Sequence, residues 1–233
     1  MRDLPRYFVT GTDTGVGKTE VAAALLSWMA DAGLSPGAYK PYESGCADVE
    51  RPPDALALRT AARSEDPLGR ISLHRFHAPL APGVAAERLG LNPSWAETLR
   101  AFRSFQGRAL VVEGAGGLLV PLDARHLVID LVAATRLPVV LVARAGLGTL
   151  NHTGLSLLAL RARRIRVRAV VLVRSSPARD PSLHDNARWI ERRFAARVLG
   201  PVPFVRDASE RRSVFLKALR PLLETGRRSP GRG

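Results

Sequence analysis

Apolar positions along the chain follow two rhythms. Short apolar runs at 109–112 and 139–142 have the unbroken character of strands buried on both faces of a parallel sheet, and 167–173, interrupted only by Arg168, reads as a further strand. Another apolar run ends at Gly11, a shorter one at 36–41 is closed by Pro41, and 198–204 reads as a last strand. Between them, apolar residues recur every three or four positions, as in helices with one buried face. Such stretches carry Val21, Ala22, Leu25 and Leu26 after residue 19, and Trp95, Leu99 and Phe102 within 93–105. Others span 127–134 and 183–196, and 213–223 places Val214, Phe215, Ala218, Leu219 and Leu222 on one side. Gly33 and Gly107 stand where helices end, and Pro79 and Pro82 keep 78–82 non-helical before a short helix at 84–88. Strands alternating with helices predict an α/β fold with a mostly parallel central sheet and helices on both faces.

The junction between the first strand and first helix carries the strongest chemical signal. It reads Phe8-Val9-Thr10-Gly11-Thr12-Asp13-Thr14-Gly15-Val16-Gly17-Lys18-Thr19. Glycines at 15 and 17 let backbone N–H groups converge on phosphate oxygens, and the helix N-terminus adds a favourable dipole. Lys18 then supplies a cation and Thr19 a hydroxyl able to ligate Mg²⁺. Five residues separate Gly11 from Gly17 where the strict motif has four, so this is a variant P-loop, and the expected class is P-loop NTPase-like.

Three further positions bear on that loop. Lys40 falls at the C-terminal end of the second strand, on the sheet edge where open α/β folds bind ligands, with Ser44 and Gly45 close by. Glu113 is delivered by the 109–112 strand into Gly114-Ala115-Gly116-Gly117, the usual place of a second metal contact in P-loop enzymes. Asp54 follows Pro52-Pro53 at a helix start, where capping alone would account for it. Gly146 to His152 reads as a loop opening the next helix, with free N–H groups suited to a carboxylate. His152 has no paired nucleophile or carboxylate visible beside it and reads as structural.

Charge changes the picture less than its size suggests. The net charge is +14, yet the arginines stand singly or in twos and threes along helices without an aromatic-rich binding motif, so neither nucleic acid nor membrane is expected as a partner. Only three of the 35 basic residues are lysines, at 18, 40 and 217. Two of those sit in the motifs above, and a compact ammonium suits a transferring phosphoryl group better than a planar fork. The single cysteine, Cys46, has no internal disulfide partner, and the histidines at 74, 77, 126, 152 and 184 show no metal-ligand spacing. No run of about 18 apolar residues and no secretory h-region occur, so a cytoplasmic chain is expected. One domain over 1–224 with a disordered basic tail at 225–233 is the expected organisation.

With these pieces placed, the chain resembles the dethiobiotin synthetases. The resemblance rests on 8–19, on Tyr39-Lys40-Pro41-Tyr42-Glu43-Ser44-Gly45, on Val112 to Gly117 and on Gly148 to His152, supported by Asp54-Ala55-Leu56 and Gly200-Pro201-Val202-Pro203. It implies a homodimer that joins CO₂ to 7,8-diaminononanoate and closes the ureido ring of dethiobiotin as ATP becomes ADP and phosphate. It also implies Mg²⁺ at Thr19, Asp54 and Glu113, overriding the capping reading of Asp54, and catalytic charge at Lys18 and Lys40. Nucleotide contacts would come from Thr14, Gly15, Val16, Gly17, Glu20 and Gly116, and on the base side from Arg174, Pro203, Phe204, Val205 and Glu210. Ser44, Gly148, Thr149 and Asn151 would bind the substrate, the last three across the dimer interface. The family commonly has an Asn-Asp pair where this chain has Arg174-Ser175. An arginine offers donors only, so relaxed base selectivity and use of other nucleoside triphosphates are expected. A partition or septum-positioning ATPase is the rival reading, opposed by Thr12, Asp13 and Thr14 standing where those proteins carry a signature lysine.

Overall fold

The structure, a computed structural model, describes residues 4–224. The tail expected at 225–233 falls outside these residues. Eight strands are present among them: β1 (Arg6–Gly11), β2 (Gly37–Tyr39), β3 (Tyr42–Ser44), β4 (His74–Phe76), β5 (Leu110–Gly117), β6 (Val139–Arg144), β7 (Val167–Val173) and β8 (Val198–Val202). The helices are α1 (Lys18–Asp31), α2 (Pro53–Ala62), α3 (Leu68–Ile71), α4 (Pro82–Arg88), α5 (Trp95–Arg103), α6 (Val128–Thr135), α7 (Thr149–Ala162), α8 (Leu183–Phe194) and α9 (Ala208–Glu224). Among the described residues no helix is long and apolar enough to cross a membrane.

Six strands form one sheet in the order β2-β5-β1-β6-β7-β8, and every neighbouring pair is parallel. The apolar runs of β5, β6 and β7 are buried on both faces, as their lack of alternation requires. On one face α1, α2 and α9 pack through Leu25, Leu26, Met29, Leu58, Phe215 and Leu219. On the other, α6, α7 and α8 bury Ile129, Leu131, Leu157, Leu160 and Ile190, with Trp95, Leu99 and Phe102 of α5 resting against them. Full burial of each such side chain contributes about 1.5–3 kcal/mol. The Ser94 hydroxyl accepts from Glu97 N at 3.2 Å and starts α5 as an N-cap.

Register places the chemistry. Tyr39 is opposite Val112, and Val112 is opposite Phe8. One residue further along each strand therefore brings Lys40, Glu113 and Val9 to the same level, just below the loop leaving Gly11.

Four departures from the sequence expectation have simple causes. The strands β3 and β4 pair in parallel as a separate two-stranded sheet; three residues each are too few to show a period. The Gly114 to Gly117 stretch continues β5 instead of turning, with Gly117 opposite Gly11 after a register shift. Asn151 and His152 lie inside α7, whose first residue is Thr149. Finally, α9 begins at Ala208, five residues before the apolar pattern does, because Glu210, Arg211 and Arg212 make its first turns polar.

Candidate active site

The loop between β1 and α1 closes over its own backbone. Gly15 and Gly17 take φ of 70° and 97°, in the left-handed region that disfavours side chains. Gly17 also faces Val173, which a Cβ would approach to 3.3 Å. Lys18 is buried and donates from Nζ to the carbonyl of Asp13 at 2.8 Å. Burial, and after it the neighbouring Lys40, pull the Lys18 ammonium down to about 8.

Beside the loop, Lys40 is 4% exposed, and its Nζ lies 2.7 Å from Glu113 Oε1 and 2.9 Å from Asp54 Oδ2. Burial opposes the Lys40 charge, but Glu113 and Asp54 outweigh it and hold the ammonium above the ordinary lysine range. Glu113 is pushed up by burial, with Lys40 pulling the other way. The Thr19 hydroxyl donates to the same Glu113 Oε1 at 2.9 Å. Thr19, Asp54 and Glu113 thus converge on one point from α1, α2 and β5. Glu113 Oε2 is buried there without a hydrogen-bond partner among the described residues. An orphaned carboxylate oxygen beside a hydroxyl and a second carboxylate is a hard, all-oxygen donor set, which fits Mg²⁺.

A cleft of about 640 Å³ opens over this point. It is lined by Thr14, Gly15, Gly17, Lys18, Thr19 and Glu20 on one side and by Lys40, Ser44, Asp54, Glu113 and Gly116 on the other. Tyr42, Glu43, Ala115, Val120 and the stretch Pro79 to Pro82 form its remaining wall. A second cleft of about 250 Å³ shares Gly15, Gly17 and Glu20 with the first. Val16, Arg174, Pro203, Phe204 and Val205 line it together with Arg211 and Phe215. Arg174 turns back on its own loop, donating from Nη2 to the carbonyls of Pro177 at 3.1 Å and Ala178 at 3.0 Å. Glu210 lines neither cleft; Arg211 does, with its Nη1 2.8 Å from Glu20 Oε1.

Gly148, Thr149 and Asn151 also stand apart from both clefts. Gly148 has φ of 90° and caps α7, Thr149 is buried against Thr153, and Asn151 is exposed. The Asp180 carboxylate already accepts from Leu147 N at 2.9 Å in the loop before them. At this end of the helix Leu147 and Leu150 are exposed, Leu155 and Leu158 are exposed further along α7, and Leu119 is exposed just after β5.

Sequence reasoning passed over Glu43 and Arg211. Glu43 is 2% exposed, lines the main cleft, and accepts from Asp54 N at 2.7 Å and Ala55 N at 3.1 Å. The signal that could have found it is the Pro52-Pro53 start of α2, which has no side chain of its own able to cap. Arg211 has no comparable signal beyond its place in a polar first turn.

A family model described as an AAA domain matches residues 5–212. The ATP-dependent dethiobiotin synthetase BioD of Anaeromyxobacter dehalogenans (strain 2CP-1) is 49% identical over 206 residues, covering 88% of this chain and 92% of that one. The protein of the same name from Thermodesulfovibrio yellowstonii is 36% identical over 217 residues, covering 88% and 90%. The biotin biosynthesis bifunctional protein BioCD of Bordetella avium is 44% identical over 197 residues, which are 84% of this chain and 39% of that protein. Alignments that run through nearly the whole length of the first two, together with a P-loop fold that gathers Lys18, Lys40, Asp54 and Glu113 in one cleft, have one meaning: the chain belongs to the ATP-dependent dethiobiotin synthetase family.

Proposed function

We propose that this chain carries out the reaction its relatives are named for, joining CO₂ to 7,8-diaminononanoate and closing the ureido ring of dethiobiotin while ATP becomes ADP and phosphate. The observation that carries this is the buried Lys40 ammonium between Asp54 and Glu113, beside Lys18 and Thr19 of the phosphate loop. An amine adds to CO₂ and loses a proton to give a carbamate, which is a poor electrophile. An oxygen of the carbamate attacks the γ-phosphorus and ADP leaves, giving a carbamic-phosphoric anhydride. The second amine then attacks the carbonyl carbon, loses its proton and expels phosphate. No nucleophilic side chain is required, so the work is positioning and charge neutralisation.

In this reading the backbone from Gly15 to Thr19 and Lys18 bind the phosphates, with Thr14, Glu20 and Gly116 at their edge. Lys40 faces the carbamate and the transferring phosphoryl group. Thr19, Asp54 and Glu113 hold Mg²⁺, which neutralises phosphate charge when bound. Val16, Arg174 and the Pro203 to Val205 loop frame the base, and Ser44 touches the substrate. Gly148, Thr149 and Asn151 bind the substrate carboxylate of the neighbouring subunit in a homodimer. The exposed leucines from Leu147 to Leu158 support this, since apolar side chains left exposed along a helix suit a subunit interface. A cytoplasmic location goes with the same reading.

The test is incubation with diaminononanoate, bicarbonate and MgATP, followed by product mass and phosphate release. Dethiobiotin formed with one phosphate per product is the expected result. Phosphate release unaffected by diaminononanoate, with no new product, would overturn the proposal.

A further inference from the structure

The start of α2 poses a problem that a distant residue solves. Its N-cap is Pro52 and its first residue Pro53, neither with a side chain that can accept a hydrogen bond. Pro53 has no N–H, and Leu56 N finds the Pro52 carbonyl at 3.0 Å. The free donors of the first turn are therefore Asp54 N and Ala55 N. The Glu43 carboxylate takes both, one on each oxygen, at 2.7 and 3.1 Å, from a position 2% exposed. A carboxylate there also complements the positive end of the helix. Glu43 is fixed in turn, because β3 pairs with β4 in a register that sets Glu43 opposite Arg75. The two amides so held belong to the residue whose side chain meets Lys40 at 2.9 Å and to its neighbour.

We infer that Glu43 is a positioning residue for the catalytic cleft: by capping α2 in place of its proline start, it sets Asp54 against Lys40 and Glu113. The six residues Tyr39 to Ser44 then carry three functions on one strand-turn-strand unit. Lys40 supplies charge, Glu43 holds the helix that brings Asp54, and Ser44 faces the cleft. The inference rests on the proposed role of Asp54 at the Mg²⁺ site, but its test does not require turnover of any particular substrate.

The test compares Glu43→Ala, Glu43→Gln and the double variant Glu43→Ala/Pro52→Ser with the unaltered protein. Serine at an N-cap accepts from the first-turn amides, so Pro52→Ser offers the missing cap locally. Two readouts are used: hydrogen exchange at the amides of Asp54 and Ala55, and the Mg²⁺ concentration at half-saturation for binding of a fluorescent ATP analogue. Loss of a cap corresponds to a factor of about two to thirty in the local equilibrium. Glu43→Ala should speed exchange at those two amides and raise the Mg²⁺ requirement by factors in that range, while Mg²⁺-free nucleotide binding stays within about twofold of the unaltered protein. Glu43→Gln, which keeps one acceptor oxygen, should fall between, and it serves if Glu43→Ala fails to fold. The double variant should recover both readouts. Unchanged exchange and Mg²⁺ requirement in Glu43→Ala would overturn the inference. So would a double variant that regains slow exchange without regaining the Mg²⁺ requirement, because Glu43 would then act directly in the site. If turnover of diaminononanoate is absent from the unaltered protein while these shifts occur, the functional proposal fails and the capping role stands.

Discussion

Lys40 and Glu113, 73 residues apart in the chain, meet at 2.7 Å because Tyr39 and Val112 are register partners on adjacent parallel strands. The pair is buried, and Asp54 joins it from α2 at 2.9 Å. A buried ammonium held by two carboxylates is a fixed positive charge at the mouth of a phosphate loop, already in place before any ligand arrives. Such preorganisation is what phosphoryl transfer asks of a protein.

The two lysines of the cleft should answer differently to removal. Lys40→Ala leaves Glu113 buried without its counter-charge, so it should lower turnover by about a hundredfold or more and also lower the melting temperature. Lys18 is held by burial in a state that disfavours its charge, so Lys18→Ala should reduce turnover similarly with little loss of melting temperature. Lys40→Arg should remain poor in turnover, because a planar fork does not fill the place of a point charge. Steady-state kinetics and thermal melts decide; near-normal turnover in either alanine variant removes that lysine from the mechanism.

Folded His74 lies against Tyr42, with the two rings tilted at 36°, and is bonded to Thr98 Oγ1 at 3.2 Å; burial lowers its pKa below the ordinary 6.5 despite Glu97 and Asp123 acting the other way. The unfolded chain therefore binds a proton that the folded chain refuses. The associated stability is present above pH about 6.5 and declines as pH falls from there towards the lowered folded value. Between pH 7 and 5 the unaltered protein should lose more melting temperature than His74→Gln. Parallel pH profiles would contradict this.

Substitution of glutamate for Leu155 and Leu158, exposed together on α7, should break a homodimer. If Asn151 and the Gly148 loop complete the neighbouring substrate site, the KM for diaminononanoate should rise while nucleotide affinity holds. Sedimentation and kinetics test this together, and a monomer with unchanged KM would count against shared sites.

Arg174 spends its Nη2 on two carbonyls of its own loop, and among the described residues no asparagine or glutamine lines the smaller cleft, so its base side has no side-chain amide. The phosphate contacts are blind to the base. Since one hydrogen bond is worth about 0.5–1.5 kcal/mol, up to about tenfold, several nucleoside triphosphates should be accepted with modest discrimination. A preference for ATP above about a hundredfold, unchanged in Arg174→Asn, would place base recognition on Pro203 to Val205 instead.

The sequence made the large sheet and the phosphate loop legible because both are local. An apolar run announces a buried strand, and Gly15, Gly17, Lys18 and Thr19 are contiguous. The strands β3 and β4 were not legible, since His74-Arg75-Phe76 and Tyr42-Glu43-Ser44 are too short for periodicity and pair only with each other. Asp54 read from its neighbours alone is a capping residue. In the fold its amide is the one capped, by Glu43, and its side chain is thereby free to reach Lys40. That inversion depends on a contact eleven residues away in sequence, which no spacing rule encodes. The meeting of Lys40 with Glu113 depends likewise on strand order, which places β5 between β2 and β1.

The most direct measurement follows oxygen. With diaminononanoate, MgATP and freshly dissolved ¹⁸O-labelled bicarbonate in unlabelled water, a carbamate oxygen that attacks the γ-phosphorus must leave with the phosphate. The account predicts one ¹⁸O in each phosphate released and one in the ureido carbonyl of each dethiobiotin formed. Dethiobiotin accompanied by unlabelled phosphate would show that the carbamate is not phosphorylated in this cleft, and would contradict the roles given to Lys18 and Lys40.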